Sequence, residues 1–220
     1  MATDPTSNDP FAQLDGQRTF IKPNPGGGWA PGPRPPEPPT QSIDGADAPL
    51  ADSGLNPLLA VANKLMLAVP QLRRTRHVPD PGALRTALAQ GVREFEASAH
   101  QRGVPPERVM AARYVLCTML DEAAADTPWG GSGVWGRNSL LATFHNETYG
   151  GEKVFQLMAR LAEKPDANRD LLELIYAAIA LGFEGRYRVI DNGRAQLEAV
   201  RDKLAQIIRQ QRGPYPGDLA

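Results

Sequence analysis

PPERVMAARYVLCTMLDEAAA, residues 105–125, is the stretch on which the fold turns. A prolyl pair opens it, and Val109, Ala112, Leu116, Met119 and Leu120 recur at steps of three and four, the repeat of one helix face. No alternation of period two runs through it, so the spacing predicts a helix with those five residues turned inward. Cys117 lies between Leu116 and Met119, where a small buried hydrophobe is expected rather than a nucleophile.

The same texture continues in both directions. Upstream, Pro81 starts a segment in which Leu84, Leu88, Val92, Phe95 and Ala99 share a face, and Gly103 ends it. Before that, Asn56 and Pro57 form a cap-then-first-turn pair ahead of Leu58, Val61, Leu65 and Leu72. Downstream, residues 126–138 are too rich in glycine for a helix and read as an ordered loop. Helical spacing returns at 139–148, 152–162 and 170–181, and last along Leu197, Val200, Leu204 and Ile207 before Gly213 and Pro214. No period-2 run bounded by hairpin turns occurs anywhere. The fold class is therefore all-α, about six to eight helices in an antiparallel bundle or two abutting bundles.

The region before these helices has another character. Residues 1–53 hold eleven of the 21 prolines and the Gly26–Gly28 run. So few large apolar side chains cannot offset the entropy of ordering, which predicts a disordered tail with polyproline II character near 31–39. The chain thus divides into a tail (1–53), a helical domain (54–212) and a short C-terminal linker (213–220). The tail carries net charge −4 and the rest +3.

Composition removes several function classes. Across 220 residues, 24 basic side chains face 25 acidic ones, so the basic excess of a generic nucleic-acid binder is missing. One cysteine forms no intrachain disulfide, which excludes a disulfide-stapled scaffold. The start lacks the basic and apolar regions of a signal peptide. No run reaches the ~18 apolar residues of a membrane span, the best, 58–69, being broken by Asn63 and Lys64. The expectation is a soluble intracellular chain.

A search for chemistry returns little. Neither glycine run has the Gly-Lys-Ser/Thr ending of a phosphate loop or a strand before it. His77, His100 and His145 have no second histidine at i+3 or i+4. A metal-dependent hydrolase built from Asp121, Glu122, His145 and Glu147 is the enzyme alternative, without a repeated ligand spacing to support it. No cofactor is implied.

What stands out instead is polarity where it costs stability. Asp121 and Glu122 fall in the last turn of the third helix, where the macrodipole disfavours anions. Either Arg113 or Arg137 neutralises them, or they form an acidic rim for a partner. On the rim reading, Asp121→Lys with Glu122→Lys would keep the helices and weaken association. Trp129 and Trp135 either plug a seam between elements or anchor an interface. Pro128 and Gly130 shape the loop that carries them. In Gly182–Arg188, Glu184 paired with Arg186 or Arg188 reads as a structural clamp.

These segments together resemble a known family. Leu120-Asp-Glu-Ala123, then Thr127-Pro-Trp-Gly130 and Trp135, then Phe144-His-Asn-Glu-Thr-Tyr-Gly-Gly-Glu-Lys153, then Leu181-Gly-Phe-Glu-Gly-Arg-Tyr-Arg188, are similar to the TssL/DotU family, and Asn56-Pro-Leu-Leu59 fits as well. The resemblance covers about residues 56–212. Thr19-Phe-Ile-Lys-Pro-Asn-Pro-Gly-Gly27 is a looser echo of an N-terminal element found in type VI versions.

The resemblance implies an inner-membrane component of the type VI secretion apparatus: a cytoplasmic domain of two helical bundles in a hook with a cleft, followed by one C-terminal membrane helix. It implies a scaffold without catalytic activity at the cytoplasmic face of the bacterial inner membrane. The implied partners are the TssM/IcmF-like inner-membrane protein and the baseplate subunit TssK, with a homodimer as a further assembly. The family's cleft acids map onto Asp121 and Glu122. A span would follow soon after Ala220, so the expectation is the cytoplasmic part of a longer protein; a soluble chaperone-like helical module is the alternative. Thr19 is a candidate phosphorylation site whose phosphate would dock a forkhead-associated protein.

Overall fold

The computed structural model describes residues 56–212 except 132 and 134. Seven α-helices and two 3₁₀ turns make up this region, and no strand occurs among the described residues. They are α1 (Pro57–Arg74), α2 (Pro81–Gln101), α3 (Pro106–Ala125), α4 (Leu140–His145), α5 (Gly151–Leu161), α6 (Pro165–Ala180) and α7 (Gly193–Arg212). The turns are Gly136–Asn138 and Gly185–Arg188. The proposed tail, Thr19 within it, and the linker at 213–220 lie outside the described residues.

Proline punctuation sets the starts. α1, α2, α3 and α6 each open with proline in the first turn, where its missing N–H costs no helical hydrogen bond. Asn56 and Asp80 cap α1 and α2 by accepting from the amides of Leu59 and Ala83. α6 begins at Pro165, ahead of the expected Asp170, because the polar run Asp166–Arg169 winds as its exposed first turn. α4 stops at His145 instead of continuing to Thr148, because Asn146 adopts φ 54° and turns the chain out of the helix.

α3 is the axis of the structure. Its buried residues include Val115, Cys117 and Thr118 besides the five expected, so it is enclosed nearly all round. α1, α2, α4, α5 and α6 all pack on it. α6 also meets α1 and carries α7, and one continuous apolar core runs through all seven helices. Burial raises the Cys117 thiol well above its ordinary value, and Asp121 adds to the effect, so this cysteine is an unreactive filler.

One polar contact joins the two ends of the described body. Glu173 is buried in α6; its Oε2 accepts from Asn56 Nδ2 at 2.5 Å, and its Oε1 from Arg212 Nε at 2.7 Å. Burial pushes this carboxyl up, but the bonds from Arg212 and Asn56 outweigh it and hold Glu173 below the ordinary value.

Candidate functional site

Asp121 and Glu122 are consecutive on α3 and serve two different neighbours. Asp121 Oδ1 accepts from Trp135 Nε1 (2.9 Å) and from the Leu140 amide (2.9 Å), and Oδ2 accepts from the Leu141 amide (2.8 Å). A six-residue helix such as α4 cannot supply partners for its first amides. Ser139 Oγ takes the Ala142 amide and Asp121 takes the other two. Glu122 does the same for another segment: Oε1 accepts from the Glu184 amide (2.8 Å) and Oε2 from the Gly185 amide (2.7 Å).

Backbone amides and the Trp135 indole make the hydrogen bonds to the two carboxylates, and the arginine nearest Glu122 is Arg73, at 3.9 Å. Arg113, one of the two neutralising partners expected, lies elsewhere: Nη1 bonds Glu96 Oε1 at 2.5 Å, and Nε donates to His145 Nε2 at 3.2 Å. The Arg137 side chain lies outside the described residues. Burial raises both carboxyls above their ordinary values despite the N–H bonds that act against it.

This sets a sign for pH dependence. A native carboxyl raised above its unfolded value of about 4 contributes stability that is fully present below that value. The contribution is lost as pH rises through the raised native value. Wild-type protein should accordingly gain more unfolding free energy as pH falls from neutrality toward about 4 than Asp121→Asn does, measured by urea titration at each pH. Equal gains would show that Asp121 does not titrate in that window.

Both acids face a cleft of about 200 Å³. Its walls are Thr118, Asp121 and Glu122 of α3, Trp135 and Ser139 of the loop and the α4 cap, Tyr149 to Gly151 ahead of α5, and Gly185, Arg188 and Val189. Gly150 lies so close to Thr118 that any Cβ would strike its hydroxyl. Arg188 pairs with Asp126 at the end of α3. At the mouth, Tyr149 and Val189 are 60% and 79% exposed, with Ile190 beside Val189 at 41%.

The two tryptophans fill a seam. Trp135 is buried, and Trp129 packs edge-on against it with centroids 5.6 Å apart and planes at 76°. Trp129 Nε1 donates to the Thr75 carbonyl at 3.0 Å, linking the loop to the end of α1. Trp135 also lines the cleft, whereas Trp129 does not. Gly130 is required because a Cβ would overlap the Ala124 carbonyl at the end of α3, and exposed Pro128 leads into that turn.

Two expected arrangements are corrected. The ion pairs of the Gly182–Arg188 segment do not run within it: Arg186 reaches Glu152 of α5 at 3.0 Å, Arg188 reaches Asp126, and Glu184 contributes its backbone amide to Glu122. The four residues of the hydrolase alternative do not converge, and no group of three or more His, Cys, Asp or Glu able to hold a metal occurs among the described residues. His145 packs on Tyr114 and accepts from Arg113, while Glu147 accepts from Tyr114 Oη (2.9 Å) and Lys153 Nζ (2.7 Å). Asp121 and Glu122 meanwhile hold backbone amides on other segments.

Sequence reasoning missed Tyr149, Gly150 and Val189. The Gly150-Gly151 pair was a signal for close backbone approach. A lone exposed valine gives none.

Comparison with known proteins agrees with this architecture. A family model described as Type VI secretion system protein DotU matches residues 57–220. A search of curated proteins finds no match. Among solved structures, the chain is similar to the crystal structure of TssL from Vibrio cholerae, with 35% identity, a TM-score of 0.64, and coverage of 70% of this chain and 96% of that one. The cytoplasmic domain of TssL from Acinetobacter baumannii matches in fold at 18% identity, with a TM-score of 0.63 over 69% of this chain and 96% of that one. SciP/TssL from enteroaggregative Escherichia coli 042 matches at 21% identity and a TM-score of 0.59, over 76% and 95%. No helix among the described residues is long and apolar enough to cross a membrane. The chain belongs to the DotU family, structural components of the type VI secretion membrane complex.

Proposed function

We propose that this chain is a non-enzymatic adaptor at the cytoplasmic face of the bacterial inner membrane, linking the membrane subunits of the secretion complex to the baseplate. Its partners in this reading are a TssM/IcmF-like protein on the membrane side and the baseplate subunit TssK on the cytoplasmic side. The supporting observation is the cleft itself. Its acids are fixed by backbone amides, and its mouth presents Tyr149 and Val189, both largely exposed. A mainly apolar cleft with exposed apolar side chains at its mouth suits docking of a protein surface, where a few aromatic or aliphatic anchors supply most of the affinity.

Because the acids also hold the fold together, the test belongs at the mouth. Val189→Glu with Tyr149→Ala is expected to keep the wild-type melting temperature and weaken TssK retention by at least about tenfold, or 1.4 kcal/mol. The measurement is a pull-down followed by titration calorimetry with purified TssK. Unchanged affinity in the folded double variant would remove the cleft as the docking surface.

A further inference from the structure

The chain leaving α6 is gripped from both sides. Arg73, near the end of α1, donates from Nη1 to the Leu181 carbonyl at 3.0 Å and from Nη2 to the Gly182 carbonyl at 2.5 Å. Glu122 accepts the amides of Glu184 and Gly185 a residue further on. Guanidinium and carboxylate stand 3.9 Å apart, so one ion pair holds two carbonyls of this run and two amides of the next. Gly182 is demanded here: it takes φ 92°, and a Cβ would run into the Arg73 guanidinium. Between the grips, Phe183 is completely buried.

Capping of α6 does not explain this arrangement. The amides of Leu181, Gly182 and Phe183 already take the Ala177, Ile179 and Ala178 carbonyls at the end of α6, and Arg73 takes the next two carbonyls, beyond the helix. Glu122 caps no helix by holding Glu184 and Gly185. It fixes instead the Gly185–Arg188 turn, which delivers Arg188 and Val189 to the cleft wall. Arg73 does not itself line the cleft, yet it contacts Glu122, the wall residue that holds this turn.

We propose that Arg73 is a positioning residue for the cleft: acting through Glu122, it sets the 184–189 ledge against which a partner docks. The partner part of this inference rests on the docking function proposed above; the positioning part does not.

Hydrogen exchange by NMR on Arg73→Gln, with exposed Arg74→Gln as the control, tests it. The Glu184 and Gly185 amides should exchange about tenfold faster or more, while core amides of α7 such as Leu204 keep wild-type protection. TssK affinity should fall several-fold beyond what the folded fraction accounts for. If those two amides stay as protected as in wild type, Arg73 merely holds the chain that leaves α6 and the inference is overturned. If Arg73→Gln does not fold, Arg73→Lys, which keeps the charge and loses the fork, is read in the same way. If wild-type protein itself fails to retain TssK, the docking function falls and the exchange result still decides the role of Arg73.

Discussion

Replacing Asp121 with alanine is expected to lower the unfolding free energy by about 3–5 kcal/mol, measured as a drop in the urea midpoint without a change in slope. Three donors lose their acceptor at once: the Trp135 indole and the amides of Leu140 and Leu141. Trp135, Leu140 and Leu141 are all nearly inaccessible, so solvent replaces the carboxylate poorly. A buried donor left alone costs about 1–3 kcal/mol, and water entering from the cleft keeps the total below the full sum. Lysine at 121 would add a cation facing three donors. The expectation that Asp121→Lys with Glu122→Lys spares the helices is therefore reversed: that pair should unfold the domain, and lost association in it would say nothing about docking. A loss below about 1 kcal/mol in Asp121→Ala would mean that the acid is a free rim residue after all.

Phe183→Ala should cost about as much, 3–5 kcal/mol, for a different reason. This ring has no exposed surface and stacks on Phe155 with centroids 5.8 Å apart and planes at 12°. Tyr187 meets the other edge of that cluster, 4.8 Å from Phe155 at 88°, and Arg186 lies over both rings. Truncation leaves a cavity that neighbouring backbone cannot close, because Arg73 and Glu122 hold the chain on each side of it. Phe183→Leu, which fills most of the volume, should recover more than half of the loss in the same titration. Equal losses for Ala and Leu would point to ring stacking rather than volume as the source.

Helices were legible because their signals are local. Asn56-Pro57, Pro81 and the five-residue stripe on α3 each act within a turn or two, and the structure keeps all three. α4 was misjudged at its end because the left-handed turn at Asn146 depends on how the loop to α5 must run. The acids show the deeper limit. Their odd position at a helix C-terminus was visible as an electrostatic cost, but the compensating donors sit 19 to 63 residues away, on Leu140, Leu141, Glu184 and Gly185. Backbone amides look the same in every sequence. The expectation turned instead to Arg113 or Arg137, nearer in the chain, and Arg113 faces Glu96. Arg186 and Arg188 likewise found carboxylates on other helices, where composition gives no guidance. Family resemblance carried the identification further than spacing did, because it preserves such distant pairings implicitly.

Glu173 has a mechanical meaning. Since Asn56 and Arg212 grip the two oxygens of one carboxylate, entry and exit of the helical body share a single pole. Tension applied between the flanking segments would load that knot directly and leave the helices slack. Strain arriving from either flank during secretion would thus bypass the cleft, and a glutamine at 173 would show as a weaker first rupture in a single-molecule pull.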